Sequence, residues 1–148
     1  MNFRSSLACT SSDIARWGLR SVLKRQGGVL PGRIAMKIDP ELLSDLADLV
    51  DRSVVITGTN GKTTVANMLG DVLTAEGKNV LSNRAGSNII SGVSTALLKG
   101  CDLLGHIRPG YDLAVLEVDE RSAPRIYPYV KPDYIIVTNL FRDSLKIR

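Results

Sequence analysis

The sequence predicts an α/β fold, a parallel sheet flanked by helices, and three stretches carry that prediction. Val54-Val55-Ile56 is a β-branched run that stops at small residues and gives way to Val65-Ala66-Asn67-Met68-Leu69, which is good helix material. Asp112-Leu113-Ala114-Val115-Leu116-Glu117 has four apolar residues leading to a carboxylate, as a strand buried on both faces would. Asp133-Tyr134-Ile135-Ile136-Val137-Thr138, introduced by Lys131-Pro132, reads as a further strand. Helical spacing between these runs gives the β-α-β order that makes a parallel sheet.

At 148 residues and 16.0 kDa the chain is one domain at most, long enough for a real core. A hydrophobic content of 44% with 23% charged residues is that of a soluble globular chain, and every apolar run is broken by a charge or a glycine before it reaches membrane-spanning length. The net charge of +4 comes mostly from the first 37 positions, where Arg4, Arg16, Arg20, Lys24, Arg25, Arg33 and Lys37 face only Asp13. Basic and aromatic residues do not interleave as a strand-binding surface requires, so no nucleic-acid partner is expected. The charge suits nucleotide phosphates or an anionic lipid-linked substrate equally well. Cys9 and Cys101 lie far apart without Cys-x-x-Cys spacing, which supports neither a disulfide framework nor a zinc site and fits a reducing cytoplasm.

Residues 1–11 read as loosely attached. From Ser12 or Asp13 as N-cap, Ile14, Trp17, Val22 and Leu23 fall close to one helix face. The same Arg- and Ser-rich, acid-poor stretch also fits a transit peptide, whereas a signal peptide would need an uninterrupted apolar core. Gly27-Gly28-Val29-Leu30-Pro31-Gly32 is a turn-rich joint. Pro40 to Leu49 predicts a helix with Pro at N1 after Asp39 and a wide apolar stripe of Leu42, Leu43, Leu46, Leu49 and Val50 that covers the sheet.

The stretch that carries chemistry is Thr57-Gly58-Thr59-Asn60-Gly61-Lys62-Thr63-Thr64, a loop between strand and helix. Such a junction cradles phosphate, because unpaired N–H groups and the positive end of the helix dipole converge there. Gly58 and Gly61 let the backbone wrap an anion, Lys62 reaches the β/γ-phosphates, and the Thr63 hydroxyl is placed to ligate Mg²⁺. The following helix, about Lys62 to Glu76, is expected to bury Val65, Met68, Leu69, Val72 and Leu73 and to be capped by Gly77.

Asn79-Val80-Leu81 is a short second strand, and Ser82-Asn83-Arg84-Ala85-Gly86-Ser87-Asn88 follows at its C-terminal end, where open α/β sheets place ligands. Arg84 is either an anion clamp or a solvated charge. Ile89 to Leu98 is a further helix ended by Gly100, and His106, in a Gly/Pro loop with no sequence partner, reads as a surface residue. Glu117, at the end of its strand, is placed like a Walker B acid to hold the nucleotide's metal, and alternation puts Asp119 on the same face if the strand continues.

One departure narrows the family. The general phosphate-loop pattern wants Gly where this chain has Ile56, and the compact Thr-Gly-Thr-Asn-Gly-Lys-Thr-Thr instead resembles the ATP site of the Mur ligase family. The Gly/Pro joint, the Asn-Arg-x-Gly-Ser-Asn loop and the Glu-Val-Asp-Glu run are similar to the branch of MurT-type large subunits of lipid II isoglutaminyl synthase. In that branch a basic helix precedes the joint, which favours a packing helix over a cleavable leader at the N-terminus. The resemblance runs from about Trp17 to Leu145. Near its end Asn139 and Asp143 match, but Ser144 stands where the family has His or Gln, and Lys146-Ile147-Arg148 departs from its pattern.

The resemblance implies a P-loop NTPase-like Mur ligase central domain, incomplete at its C-terminus. It divides the chain into residues 1–37, a basic helix and Gly/Pro joint, and residues 38–148, the N-terminal part of the ATP-binding domain. It implies ATP and Mg²⁺, with Gly58, Thr59, Asn60, Gly61, Lys62, Thr63, Thr64 and Asn139 binding the nucleotide and Thr63 and Glu117 the metal. Lys62, Glu117 and Asn88 are the implied catalytic residues, Asn88 directed toward phosphate and substrate, and Glu120 a further acid near the site. The implied reaction is amidation of the D-glutamate of the lipid II stem peptide through an acyl phosphate. A glutamine amidotransferase subunit would supply the ammonia, in a bacterial cytoplasm at the inner membrane face. Folylpolyglutamate synthase-like or amino-acid-adding ligation is the second expectation, and a nucleotide-binding fragment without catalysis the third. A truncated or frame-shifted product, or one piece of a split protein, is expected from the missing family parts, which include the later strands and the C-terminal domain.

Overall fold

Val50–Thr57 forms β1, exposed at Asp51 and Arg52 and buried continuously from Ser53 to Thr57. The strand begins four residues earlier than the β-branched run because backbone pairing ignores the polar side chains there: Val50 pairs with Tyr111 and Arg52 with Leu113. The structure, a computed structural model, describes residues 30–39, 41–48, 50–84, 89–100 and 110–141, with Leu7, Thr10, Ser11 and Ile14 before them. Of the expected N-terminal basic helix only Ile14 is among these, helical and 63% exposed; Trp17, Val22 and Leu23 lie outside the described residues.

Four strands, β1, β2 (Val80–Ser82), β3 (Tyr111–Glu117) and β4 (Tyr134–Val137), form one parallel sheet in the order β2-β3-β1-β4. Parallel crossovers share one hand, so connections running in opposite directions put their helices on opposite faces. The β1-to-β2 connection carries α3 (Lys62–Ala75) over one face, where Val65, Ala66, Leu69 and Leu73 pack on Val54, Ile56 and Val115. The return connections carry α4 (Ile90–Leu97) and α5 (Ala123–Val130) over the other, joined by α1 (Leu30–Ile38) and α2 (Leu42–Ala47). That second face holds the larger core, in which Leu42, Leu43, Leu46, Val55, Leu97, Leu116 and Ile126 are fully buried.

Several elements differ from expectation. Leu30-Pro31-Gly32 is the first turn of α1 rather than part of a joint, since Pro is tolerated there, lacking an N–H that the helix leaves unbonded anyway. Gly32 is required at that point: its N–H donates to Thr95 Oγ1 at 2.9 Å, and an added Cβ would lie 2.0 Å from the Ser91 carbonyl. The α3 helix buries no residue completely, and Met68 and Val72 are 63% and 59% exposed, because the sheet meets only the flank that carries Val65, Leu69 and Leu73. Ala123–Val130, in a stretch for which the sequence carried no assignment, forms α5 despite two prolines, with Pro124 in the first turn and Ile126 and Val130 on the core. Among the described residues β4 is an edge strand, its four residues exposed.

Candidate functional site

The chain leaves β1 toward β2 and leaves β3 toward β4, so the two central neighbours part in opposite directions. The crevice beyond their C-terminal ends is the topological switch point at which open α/β sheets bind ligands. Thr57-Gly58-Thr59-Asn60-Gly61-Lys62 lies there.

Gly58 and Gly61 have φ of 130° and 82°, in the region that side-chain-bearing residues avoid. At Gly58 the space is also taken: a Cβ would sit 2.4 Å from Thr138 Oγ1 and 2.6 Å from the Asn139 carbonyl. At Gly61, the N-cap of α3, no atom lies within 4 Å of where a Cβ would be. Among the described residues no side chain caps this helix, and its first turn holds no acid, so its leading N–H groups and positive dipole end are not offset by a side chain there. Those are the requirements of an anion cradle.

The loop is held from beneath by the segment after β4. The Thr59 N–H donates to the Asn139 carbonyl at 2.9 Å, and the Asn139 side chain closes two bonds with the Asn60 backbone, each 3.0 Å. Thr138 Oγ1 donates to the Asn60 carbonyl at 2.7 Å, and the Phe141 N–H donates to Thr59 Oγ1 at 3.0 Å. Lys62 folds back over the loop: its ammonium donates to the Gly58 and Thr59 carbonyls and lies 3.6 Å from Glu120 Oε2. With only 11% of the Lys62 side chain exposed, the cation is concentrated inside the loop, and Thr63 and Thr64 stand exposed at its rim.

Glu117 is the last residue of β3 and the register partner of Ile56. Its neighbour two residues back, Val115, packs on the α3 side, so alternation turns the Glu117 side chain to that same face, where α3 begins. Its backbone is fixed by Asn83, whose side-chain Oδ1 accepts the Glu117 N–H at 2.8 Å and whose Nδ2 donates to the Glu117 carbonyl at 2.7 Å.

Lys62 thus folds into the loop from Gly58 to Thr64, Glu117 ends the strand beside the one that leads into that loop, and Asn139 supports the loop backbone. Asn88, Asp143, Ser144 and His106 lie outside the described residues. Arg84 is engaged by Asp71 through two hydrogen bonds, which raise the guanidinium pKa above its ordinary value. Asp119 does not continue β3: Val118 is followed by a turn in which Asp119 Oδ2 accepts the Arg121 N–H at 3.1 Å, so the acid holds the turn that leads into α5 instead of extending the strand of Glu117. Asn83 and Thr138 escaped sequence reasoning, because a bond from a side chain to distant backbone leaves no periodic signal. Their trace is a polar residue directly after a strand, and for Asn83 also its place at the head of the Asn-Arg-x-Gly-Ser-Asn run, which gives it no role.

Donor types fit a nucleoside triphosphate with a hard cation. The cradle offers N–H groups, one ammonium and a hydroxyl, and Glu117 offers a carboxylate oxygen. Among the described residues no group of three or more His, Cys, Asp or Glu could hold a metal unaided. A cation here would need phosphate and water to complete its shell, which is how Mg²⁺ is ordinarily held.

Comparison with known proteins agrees with this fold. The Mur ligase middle domain family matches residues 56–146. The lipid II isoglutaminyl synthase (glutamine-hydrolyzing) subunit MurT of Staphylococcus aureus (strain COL) is 40% identical over 134 residues, 90% of this chain and 29% of its own length. MurT of Streptococcus pneumoniae is 35% identical, covering 98% of this chain and 31% of its own length. UDP-N-acetylmuramoylalanine--D-glutamate ligase of Desulfotalea psychrophila is 39% identical, covering 91% of the chain and 25% of that enzyme. The chain spans under a third of these relatives.

Proposed function

Because the chain belongs to the Mur ligase family, we propose that it forms the ATP-binding part of a ligase that amidates the D-glutamate of the lipid II stem peptide. The observation that carries this reading is the uncapped start of α3 beneath a left-handed Gly61, with Lys62 folded into the same loop. ATP with Mg²⁺ supplies the phosphoryl group that converts the substrate carboxylate to an acyl phosphate, which ammonia opens with release of phosphate.

The chain's own residues act on charge and position. N–H groups from Gly61 to Thr64 hold phosphate oxygens, while the N–H groups of Thr59 and Asn60 are spent on Asn139, which together with Thr138 fixes the loop. Lys62 leaves the Gly58 and Thr59 carbonyls for the transferring group and balances charge that develops there. Thr63 and Glu117 would hold the cation, and Asn88 would orient phosphate against substrate. Similarity to MurT supports a glutamine amidotransferase subunit as the ammonia source and the cytoplasm as the compartment. Among the described residues no helix is long and apolar enough to cross a membrane.

The D-glutamate-adding relative favours a second reading, in which an amino acid takes the place of ammonia. The test has two stages. Titration with a fluorescent ATP analogue should show binding that Lys62→Ala removes; unchanged affinity in that variant would overturn the phosphate-loop assignment. The complete protein should then release ADP only with lipid II and ammonia or a glutamine amidotransferase, and release that requires a free amino acid would favour the second reading.

A further inference from the structure

The β2-β3 ladder ends at the pair Ser82 and Val115, yet Glu117, two residues further along β3, remains held on its β2 side. The Asn83 amide takes over where the β2 backbone stops, with its oxygen accepting the Glu117 N–H and its nitrogen donating to the Glu117 carbonyl, at 2.8 and 2.7 Å. A carboxamide has the same donor and acceptor geometry as a peptide unit, so one side chain replaces a rung of the sheet. Asn83 is 5% exposed, and its bonds span 34 residues of sequence. On the other side of β3, the Val118 N–H donates to the Ile56 carbonyl at 2.9 Å. The end of β3 is thus pinned from both neighbouring strands, at the position where a carboxylate must be presented to the crevice.

Only an Asn serves both bonds in this space. Asp would keep the acceptor for the Glu117 N–H but set a carboxylate oxygen against the Glu117 carbonyl, and Ala would leave a part-buried N–H and C=O to find new partners. The cost would fall on the direction of the Glu117 side chain, because a strand end released on one edge can twist.

We infer that Asn83 is a positioning residue that aims Glu117 at the cation accompanying the nucleotide. The inference rests on the reading of Glu117 as a metal ligand. A group that orients a ligand typically changes metal affinity by about 10-fold to 100-fold when removed. Asn83 therefore acts on the metal requirement and not on the phosphate cradle, which follows β1 and is braced by Thr138 and Asn139 from the segment after β4.

The test titrates Mn²⁺ into the full chain with a fluorescent ATP analogue, reading bound metal by electron paramagnetic resonance and bound nucleotide by fluorescence. Asn83→Ala should raise the Mn²⁺ concentration at half-saturation by about 10-fold or more, with metal-free nucleotide affinity within about 2-fold of the parent. Asn83→Asp, which keeps one of the two bonds and the shape, should fall between, and it decides the matter if Asn83→Ala does not fold. Unchanged Mn²⁺ affinity in the folded variant would overturn the inference, as would an equal loss of metal-free nucleotide binding, which marks a merely structural role. Glu117→Gln separates the two levels: if it leaves Mn²⁺ affinity unchanged, the metal-ligand reading itself fails. If it weakens the metal while Asn83→Asp does not, only the role of Asn83 fails.

Discussion

Asn60 and Asn139 form a closed pair, the Asn60 N–H donating to Asn139 Oδ1 and Asn139 Nδ2 donating to the Asn60 carbonyl, each at 3.0 Å across 79 residues of sequence. The tip of the phosphate loop is thereby tied to the chain that leaves β4. Asn139→Ala removes both bonds at an exposed site, where water can replace part of what is lost, so the expected stability loss is about 1 kcal/mol. Nucleotide affinity should fall by more than this stability loss alone explains, because the loop must then be ordered on binding. Calorimetric titration beside thermal denaturation checks it, and unchanged affinity would show that the loop is rigid without Asn139.

Gly58 and Gly61 offer a controlled comparison. Both have positive φ, and the left-handed conformation costs a side-chain-bearing residue about 1–2 kcal/mol. Gly61→Ala adds nothing further, since its Cβ meets open space, whereas Gly58→Ala drives a Cβ into Thr138 Oγ1 and the Asn139 carbonyl. Gly58→Ala should therefore unfold at lower denaturant concentration than Gly61→Ala, and equal midpoints would mean that the segment after β4 gives way freely.

These pairs also explain how much of the molecule was legible beforehand. Val54 to Thr57, Leu113 to Leu116 and Tyr134 to Val137 declare themselves by composition, and Gly61-Lys62-Thr63 declares the loop, because local chemistry sets each of them. Helix α5 did not, since Pro124 and Pro128 argue against a helix locally and only the burial of Ile126 and Val130 outweighs them. Met68 and Val72 look like core residues by spacing, and only the position of α3 against the sheet reveals their exposure. The contacts of Asn83 and Asn139 depend on tertiary approach over 34 and 79 residues, which no local pattern encodes.

Helices α1 and α4 approach closely enough that Gly32 touches Ser91 and Thr95. Gly32→Ala would place a methyl group 2.0 Å from backbone, so the helices must separate at a cost of about 1–3 kcal/mol, the usual range for overpacking. The seam lies on the face of the sheet opposite α3, so nucleotide affinity of the folded variant should be unchanged. A lower melting temperature with parental affinity is the expected pair of results, and a loss of affinity would reveal coupling between this seam and the site.

Lys62 and Glu120 set up a competition. The ammonium is shared among the Gly58 and Thr59 carbonyls and the Glu120 carboxylate 3.6 Å away, all of which it must leave in part to meet phosphate. Glu120 also brings a negative charge to a site built for anions, and its side chain is only 22% exposed, so water screens that charge incompletely. Glu120→Gln removes both penalties and should tighten metal-free nucleotide binding by about 3-fold to 10-fold, with a smaller gain at high salt. With a divalent cation present the gain should shrink, since the cation itself neutralises the acid. Titrations at two salt concentrations, with and without Mg²⁺, distinguish the cases. Weaker binding of Glu120→Gln only when Mg²⁺ is present would instead make Glu120 a contributor to the cation's shell, and weaker binding under both conditions would make it a support for Lys62.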